Sequence, residues 1–301
     1  MSYKIGSFNL CNLSFQSDNE IRKSFENIAN IIREENYDIV ALQEIISEEA
    51  LKLLLRYLGA YWKKSFDVPD SYSSDRRGEG YAYIWNSRRI DLVHTEDYGQ
   101  IKSIYPRVWK QYPKTYGTMI REPYYARFTP SGLPGGSFFE IRLINTHLIF
   151  KNVSDRQKEF NILVNNIYDN ISNRVYGNNM PAYTIILGDY NLNLCREHTQ
   201  NPYVAESVYI DSGRLSKTII TVQDQLTTIK KPVVDEYGNK VCNGYANNYD
   251  HFSYDQNYNN IITLNSGRVD AVGKYYGNDF LKYRREISDH VPISLDFDLF
   301  V

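Results

Sequence analysis

The sequence predicts a single α/β domain in which two mixed β-sheets pack together and helices lie outside. Three observations predict it. Strand and helix patterns alternate over the first 59 residues, and hairpin-like strands follow one another from residue 80 to residue 150. No repeat, linker or change of composition divides the 301 residues, so one domain over residues 1–301 is the simpler reading. A hydrophobic share of 42% with 23% charged residues is ordinary for a globular chain.

The elements follow in order. Residues 3–9 read as a strand with Asn9 at its end. In SDNEIRKSFENIANIIREEN, Ser17 and Glu20 stand at capping-box spacing, and Ile21, Phe25, Ile28 and Ile32 recur on one helical face. YDIVALQEI is an unbroken apolar run, expected as a strand buried on both faces with Glu44 near its end. Residues 48–58 predict a second helix closed by Gly59. GYAYIWN, RIDLVHT, YYARFTP and SFFEIRLINTHLIF predict successive strands joined by Gly, Pro and Asn turns. A helix over 154–171 opens with the capping box Ser154 and Gln157 and turns Phe160, Leu163, Val164 and Ile167 inward. AYTIILGD is again a strand. Residues 196–249 are expected to mix a helix with loops, NGYANNYDHFSYDQNYNN to be a polar loop, and SDHVPISLDFDLF to close the chain as a strand.

Lys+Arg 34 against Asp+Glu 36 gives a net charge of -2, so no global basic field advertises nucleic-acid binding, although such a sum hides any local groove. Tyrosine is common at 27, and each ring offers stacking area with a hydrogen-bonding tip. Cys11, Cys195 and Cys242 match no zinc pattern, and their odd number argues against a disulfide scaffold; a Cys195–Cys242 bridge stays open. The N-terminus does not read as a signal peptide and no apolar run is long enough to span a bilayer. A cytoplasmic protein is the default expectation, with secretion open if a leader was trimmed. Oligomeric state and any activating or inhibiting partner are not legible.

Polar residues interrupt the ends of the apolar strands: Asn9, Glu44, Glu79, His147, Asp189, Asn191, Asp289 and His290. One such carboxylate is unremarkable, but eight polar residues at separate strand ends suggest convergence on one rim, where α/β sheets place their sites. Phosphodiester hydrolysis suits the set. It needs a base for water, an acid for the leaving oxygen, and positive charge against the developing negative charge. Two histidines supply the first two, each wanting a carboxylate behind it. Glu44 with Asp189 and Asn191 suits Mg²⁺, a hard cation that takes one or two carboxylates and keeps its waters.

These residues resemble a known family. SFNL, ALQEI, NTHL, LGDYN and SDHVPI, in this order along the whole chain, are similar to the endonuclease/exonuclease/phosphatase superfamily, and RRGEGYAYIW with IREPYYARF looks most like its DNase I branch. The resemblance implies a four-layer α/β sandwich and a Mg²⁺-dependent endonuclease, with Mn²⁺ or Ca²⁺ substituting or structural, acting on nucleic acid, DNA first, to leave 5′-phosphate ends. It implies His147 as general acid oriented by Glu79, and His290 as the activator of water oriented by Asp250. Glu44 becomes the principal metal ligand, helped by Asn9, and Asp189 and Asp289 complete the metal or water-positioning shell. Asn191 and Arg121 hold phosphate oxygens.

Asp255 and Asp270 compete with Asp250 for its role, because the surrounding stretch repeats Asp, Tyr and Asn. The chain departs from the DNase I branch at Ile46, where that branch has a groove-contacting arginine, and at Arg77, where it has a sugar-stacking tyrosine. Arg76 and Arg77 offer substitute phosphate contacts. Asn9 reads equally as a cap for local backbone. His94, His198 and His251 read as surface or structural residues. Tyr105, Trp109, Tyr112 and Tyr116 read as packing, a stacking surface or a membrane-touching hairpin. The rival activities are a sphingomyelinase- or phosphoinositide-phosphatase-like phosphoesterase, an abasic-site nuclease, and an inactive binding module.

Overall fold

A computed structural model describes residues 2–15, 23–69, 78–93, 96–97, 100–101, 119–132, 139–174, 181–194, 207–211, 216–257 and 262–299. One sheet runs, in spatial order, Ile262–Arg268, Ile293–Leu299, Ser2–Leu13, Ile39–Ile45, Gly80–Asn86 and Trp62–Asp67. The other runs Ser207–Asp211, Ser216–Val222, Asp250–Asp255, Ala182–Asp189, Glu140–His147, Tyr124–Pro130 and Ile90–Leu92. Both are mixed. Ser2–Leu13 lies parallel to Ile39–Ile45 and antiparallel to Ile293–Leu299, and Ala182–Asp189 lies parallel to Glu140–His147 and antiparallel to Asp250–Asp255.

Three apolar clusters define four layers, as expected. Between the sheets lie Ile5, Ile39, Ala41, Tyr83, Phe128, Leu143, Ile185, Phe252 and Phe297. Outside the first sheet, Ile28, Ile32, Leu51, Leu54 and Tyr283 pack helices on Phe8, Leu10, Val40 and Leu42. Outside the second, Phe160, Leu163, Val164 and Ile167 cover Ile144 and Ile186. Strand alternation sends one set of side chains inward and the next outward, which is why both faces of Ile39–Ile45 are apolar.

Several of the described tyrosines are core residues with a tethered tip. Tyr83 donates to the Tyr124 carbonyl at 2.8 Å, and Tyr81 accepts from the His147 backbone N–H at 3.0 Å. Tyr283 donates to the His290 carbonyl at 3.0 Å. Two rings of the core thereby fix the backbone of the two candidate histidines. A buried hydroxyl must find a partner, and here the partner is the site's own backbone.

Several elements differ from expectation. The first helix is Phe25–Glu34, capped by Ser24, whose side chain accepts from the Asn27 N–H and whose own N–H bonds the Glu286 carbonyl. The capping box expected at Ser17 and Glu20 lies outside the described residues. The helix over 154–171 begins at Val153 with Asn152, not Ser154, as its cap, and passes through a π-helical turn, Leu163–Tyr168, into Asp169–Ser172. Asn152 wins because its carboxamide accepts from the Asp155 N–H at 2.9 Å. Among the described residues of 196–249 there are strands, not a helix. The expected polar loop contains the buried strand Asp250–Asp255, whose Phe252 and Tyr254 enter the inter-sheet core while it pairs with Ile185–Asp189. Among the described residues of RIDLVHT the strand is Ile90–Leu92. The strand Trp62–Asp67 and the helices Ala271–Tyr276 and Phe280–Glu286 were not expected.

Cys242 is a free thiol that donates to the Lys230 carbonyl at 2.9 Å; Cys195 lies outside the described residues. No described helix is long and apolar enough to cross a membrane.

Candidate active site

The second sheet sets three residues in one row. Register pairs Asp189 with His147 on the parallel neighbour and with Asp250 on the antiparallel one, so the three side chains stand beside one another at the strand ends. Gly188 makes the row possible. It adopts φ +140, and a Cβ there would meet the Thr146 carbonyl oxygen at 2.0 Å, so only glycine lets the two strands close up.

The first sheet contributes by breaking its ladder. Asn9 pairs with Gln43, after which the register shifts and Glu44 adopts φ +58. Cys11 at φ +47, Asn12 at φ +61 and Asn191 at φ +49 share this left-handed backbone, and all four residues line one pocket of about 430 Å³. Left-handed non-glycine residues each carry strain, and strain gathers where geometry serves a site. The Asn9 carboxamide donates to Glu44 Oε1 at 2.9 Å and to Asp189 Oδ2 at 3.1 Å, so one amide ties a carboxylate of each sheet. Its oxygen accepts from the Cys11 N–H at 2.9 Å. Asn9 therefore acts here as a bridge between carboxylates, with its oxygen occupied by backbone.

His147 ends a strand of the second sheet, and His290 lies just before Ile293–Leu299 of the first. His290 Nδ1 lies 2.8 Å from Asp250 Oδ2, and its Nε2 lies 3.6 Å from Asp189 Oδ2. His147 Nε2 also lies 3.6 Å from Asp189 Oδ2 and 3.9 Å from Glu44 Oε1, while its Nδ1 stands 3.8 Å from Glu79 Oε2. Glu79 is shared: Arg121 holds the same oxygen at 2.8 Å. Asp255 and Asp270 face elsewhere, Asp255 bonding Asn257 and Asp270 capping the helix Ala271–Tyr276. His251 is buried among the carbonyls of Gln223, Leu192 and Asn248, a structural position.

Charge is unevenly settled. Burial pushes the Asp189 carboxyl up to about 7, with Asp250 and Glu44 adding to it against the pull of His290. Burial, then Asp289, also raises Glu44. Burial, Arg121 and His290 keep His147 well below the usual histidine range. Burial alone would lower His290, but Asp250 and Asp189 outweigh it and hold the ring well above that range. Asp289 lines the pocket, yet Arg284 donates to it at 3.0 Å, and His290 with Arg284 overcomes burial to lower its pKa.

The remaining expected residues are present with their donors engaged. Asn191 donates its carboxamide to the Leu148 carbonyl at 2.8 Å, and its N–H bonds Asp189 Oδ1 at 2.8 Å. Arg121 reaches the Leu148 carbonyl at 3.3 Å besides Glu79. Arg76, Arg77, His94, His198 and the aromatics of 105–116 lie outside the described residues. Sequence reasoning missed the buried supports. Gln43 donates to Asn145 Oδ1 at 2.7 Å and to Ser7 Oγ at 3.1 Å, joining the sheets beneath the site. Ser288 donates to the Asn9 carbonyl at 2.7 Å and accepts from the His290 N–H at 3.1 Å. Ser7, Gln43, Asn145 and Ser288 all fall inside the quoted motifs, and that adjacency was the available signal.

The donor chemistry fits a hard divalent cation. Asp189 is a buried carboxylate and Glu44 a half-buried one, both raised by burial and by other acids, and positive charge between them would stabilise both. Among the described residues no three His, Cys, Asp or Glu side chains form a ready metal cluster. A cation here would rest on Glu44 with few protein ligands and keep its waters, as Mg²⁺ does.

No protein-family profile and no curated protein matches the sequence. Solved structures do match. An endonuclease/exonuclease/phosphatase family protein from Bacteroides thetaiotaomicron superposes with TM-score 0.57 at 17% identity, over 100% of this chain and 99% of that one. D. rerio TDP2 complexed with a single strand DNA product gives 0.57 at 16%, over 99% of each chain. ANGEL2, described as a 2′,3′-cyclic phosphatase in complex with adenosine-2′,3′-vanadate, gives 0.57 at 14%, over 100% and 96%. The chain has the endonuclease/exonuclease/phosphatase fold, and the resemblance in its motifs holds at the level of that fold.

Proposed function

We propose that this chain hydrolyses phosphodiester bonds with a divalent cation, and that its substrate is nucleic acid, DNA first, cut internally with little sequence preference to leave 5′-phosphate ends. One observation carries the reading. The Nε2 atoms of His147 and His290 each lie 3.6 Å from the same Asp189 oxygen, although His147 ends a strand of the second sheet and His290 lies just before Ile293–Leu299 of the first. Two imidazoles about one point suit displacement at phosphorus, one taking a proton from water and the other returning one to the leaving oxygen.

In this reading His290, backed by Asp250, takes the proton, and His147, beside Glu79, gives one. The chain's own charges favour a protonated His290 and a neutral His147; a cation near Glu44 and Asp189 would lower His290 toward the neutral base, and the negative charge of a bound phosphate would favour the protonated His147. A bound Mg²⁺, held by Glu44 with Asp189 and Asp289 beside it, would be that cation and polarise a phosphoryl oxygen. Arg121, Lys231 and Arg284 line the same pocket and suit a polyanion. The TDP2 neighbour with its DNA product and the ANGEL2 neighbour with its nucleotide vanadate support a nucleic-acid substrate.

The test is nicking of supercoiled plasmid with Mg²⁺ and with EDTA, alongside sphingomyelin and inositol phosphates. Nicking that EDTA stops, and that His147→Ala and His290→Ala each reduce by about a hundredfold or more, is expected. Turnover confined to the lipid or inositol panel moves the substrate. Near-normal nicking by both variants refutes the roles.

A further inference from the structure

Phe150 is 64% exposed and lines the same pocket as the two histidines. It is not a loose loop residue. The Ile149 N–H donates to buried Glu159 at 2.8 Å, and Arg156 donates to the Lys151 carbonyl at 2.6 Å and to the Asn191 carbonyl at 2.7 Å. Backbone on both sides of Phe150 is thus pinned to the helix starting at Val153, while the ring is left in the open. The Arg156 guanidinium sits 4.7 Å from the Phe150 ring centre and 6.0 Å from that of Tyr249, which also lines the pocket. One arginine, bonded to the Asn191 carbonyl, therefore lies against two aromatic rings in a cation–π arrangement.

An exposed phenyl ring costs apolar contact with water unless something covers it. At this place the cover must sit next to a phosphate bound at the histidines, must offer a flat face, and must tolerate the amides and cations nearby, Asn247, Lys231 and Arg284. A nucleobase meets all three conditions; an acyl chain meets none of the last two. We infer that Phe150, steadied by Arg156 and accompanied by Tyr249, is a stacking platform for a base neighbouring the scissile phosphate of a single-stranded nucleic acid. The inference rests on the function proposed above and adds to it a preference for bases free of their pairing partner, which a single strand or the transiently unpaired stretches of a supercoiled plasmid present to the ring.

The experiment compares a short DNA single strand with the same strand carrying a central run of abasic sites. Binding to the full chain is read by fluorescence anisotropy in EDTA, and cleavage is then read with Mg²⁺. The wild type should bind the base-bearing strand about tenfold or more tightly. Phe150→Ala should bring that ratio close to one, and Phe150→Trp should keep it. A ratio unchanged in Phe150→Ala, or absent from the wild type, overturns the platform. So does an unchanged ratio accompanied by loss of binding to phosphatidylcholine–phosphatidylserine vesicles, which would give the ring to a membrane. A strand bound with the expected ratio but never cut refutes the proposed hydrolysis and spares the subsite; a strand cut without any ratio does the reverse.

Discussion

Glu140 and Asp189 are buried carboxylates at opposite ends of one parallel strand pair, and the chain treats them differently. Glu140 is held by Arg127 and, at 2.5 Å, by Arg142; burial opposes its ionisation, but the two guanidiniums outweigh it and lower its pKa. Asp189 has two imidazoles and the Asn9 amide, and its carboxyl is pushed up to about 7. A structural carboxylate arrives with its cations covalently supplied by the same chain. Asp189 keeps a raised carboxyl despite the His290 ring beside it, a condition that a bound cation would relieve.

Breaking the two ends should have opposite consequences. Asp189→Asn is expected to lower plasmid nicking about a thousandfold while leaving the melting temperature unchanged or higher, since it removes an unbalanced buried charge. A large drop in melting temperature would make Asp189 structural. Glu140→Gln should do the reverse, costing about 3–5 kcal/mol in urea unfolding by taking the carboxylate charge from beside two buried arginines, with nicking below the melting transition little altered.

The two histidine pairs sharpen the same contrast on a smaller scale. Asp250 meets His290 at 2.8 Å, whereas Glu79 stands 3.8 Å from His147 and is shared with Arg121. Asp250→Asn should therefore reduce nicking about a hundredfold and Glu79→Gln about tenfold. Equal losses would show that the distances do not rank the pairs.

The smallest effect is in pH. The folded pKa of Glu140 is depressed, so its contribution is fully present above the unfolded carboxylate range and is lost as pH falls through the folded value. Calorimetry below about pH 4 should show wild type losing melting temperature more steeply than Glu140→Gln. Parallel curves would remove Glu140 from the acid response.

Legibility followed the range of the interactions. The helix Glu48–Leu58, its Gly59 cap and the apolar strands were readable because period and cap are local. Asp250–Asp255 was not, because its Asn- and Tyr-rich surroundings read as loop until Ile185–Asp189 paired with it. Ser24 caps the first helix and is tethered to the Glu286 carbonyl, a partner far along the chain that no local pattern announces; Ser17 lies outside the described residues. At the site the residue types were visible as polar interruptions of apolar runs, while the supports Gln43, Asn145, Tyr81 and Tyr283 looked like ordinary strand or core residues.

By itself the order of amino acids determined the two-sheet sandwich and the stock of carboxylates, imidazoles and amides at strand ends, since hydrophobic period and strand termination are short-range properties. Only tertiary structure decided which acid stands behind which histidine, that Asn9 bridges Glu44 and Asp189, and that Arg284 occupies Asp289. Those pairings join residues up to 180 positions apart. Register and packing between sheets choose such partners, and no local pattern encodes that choice.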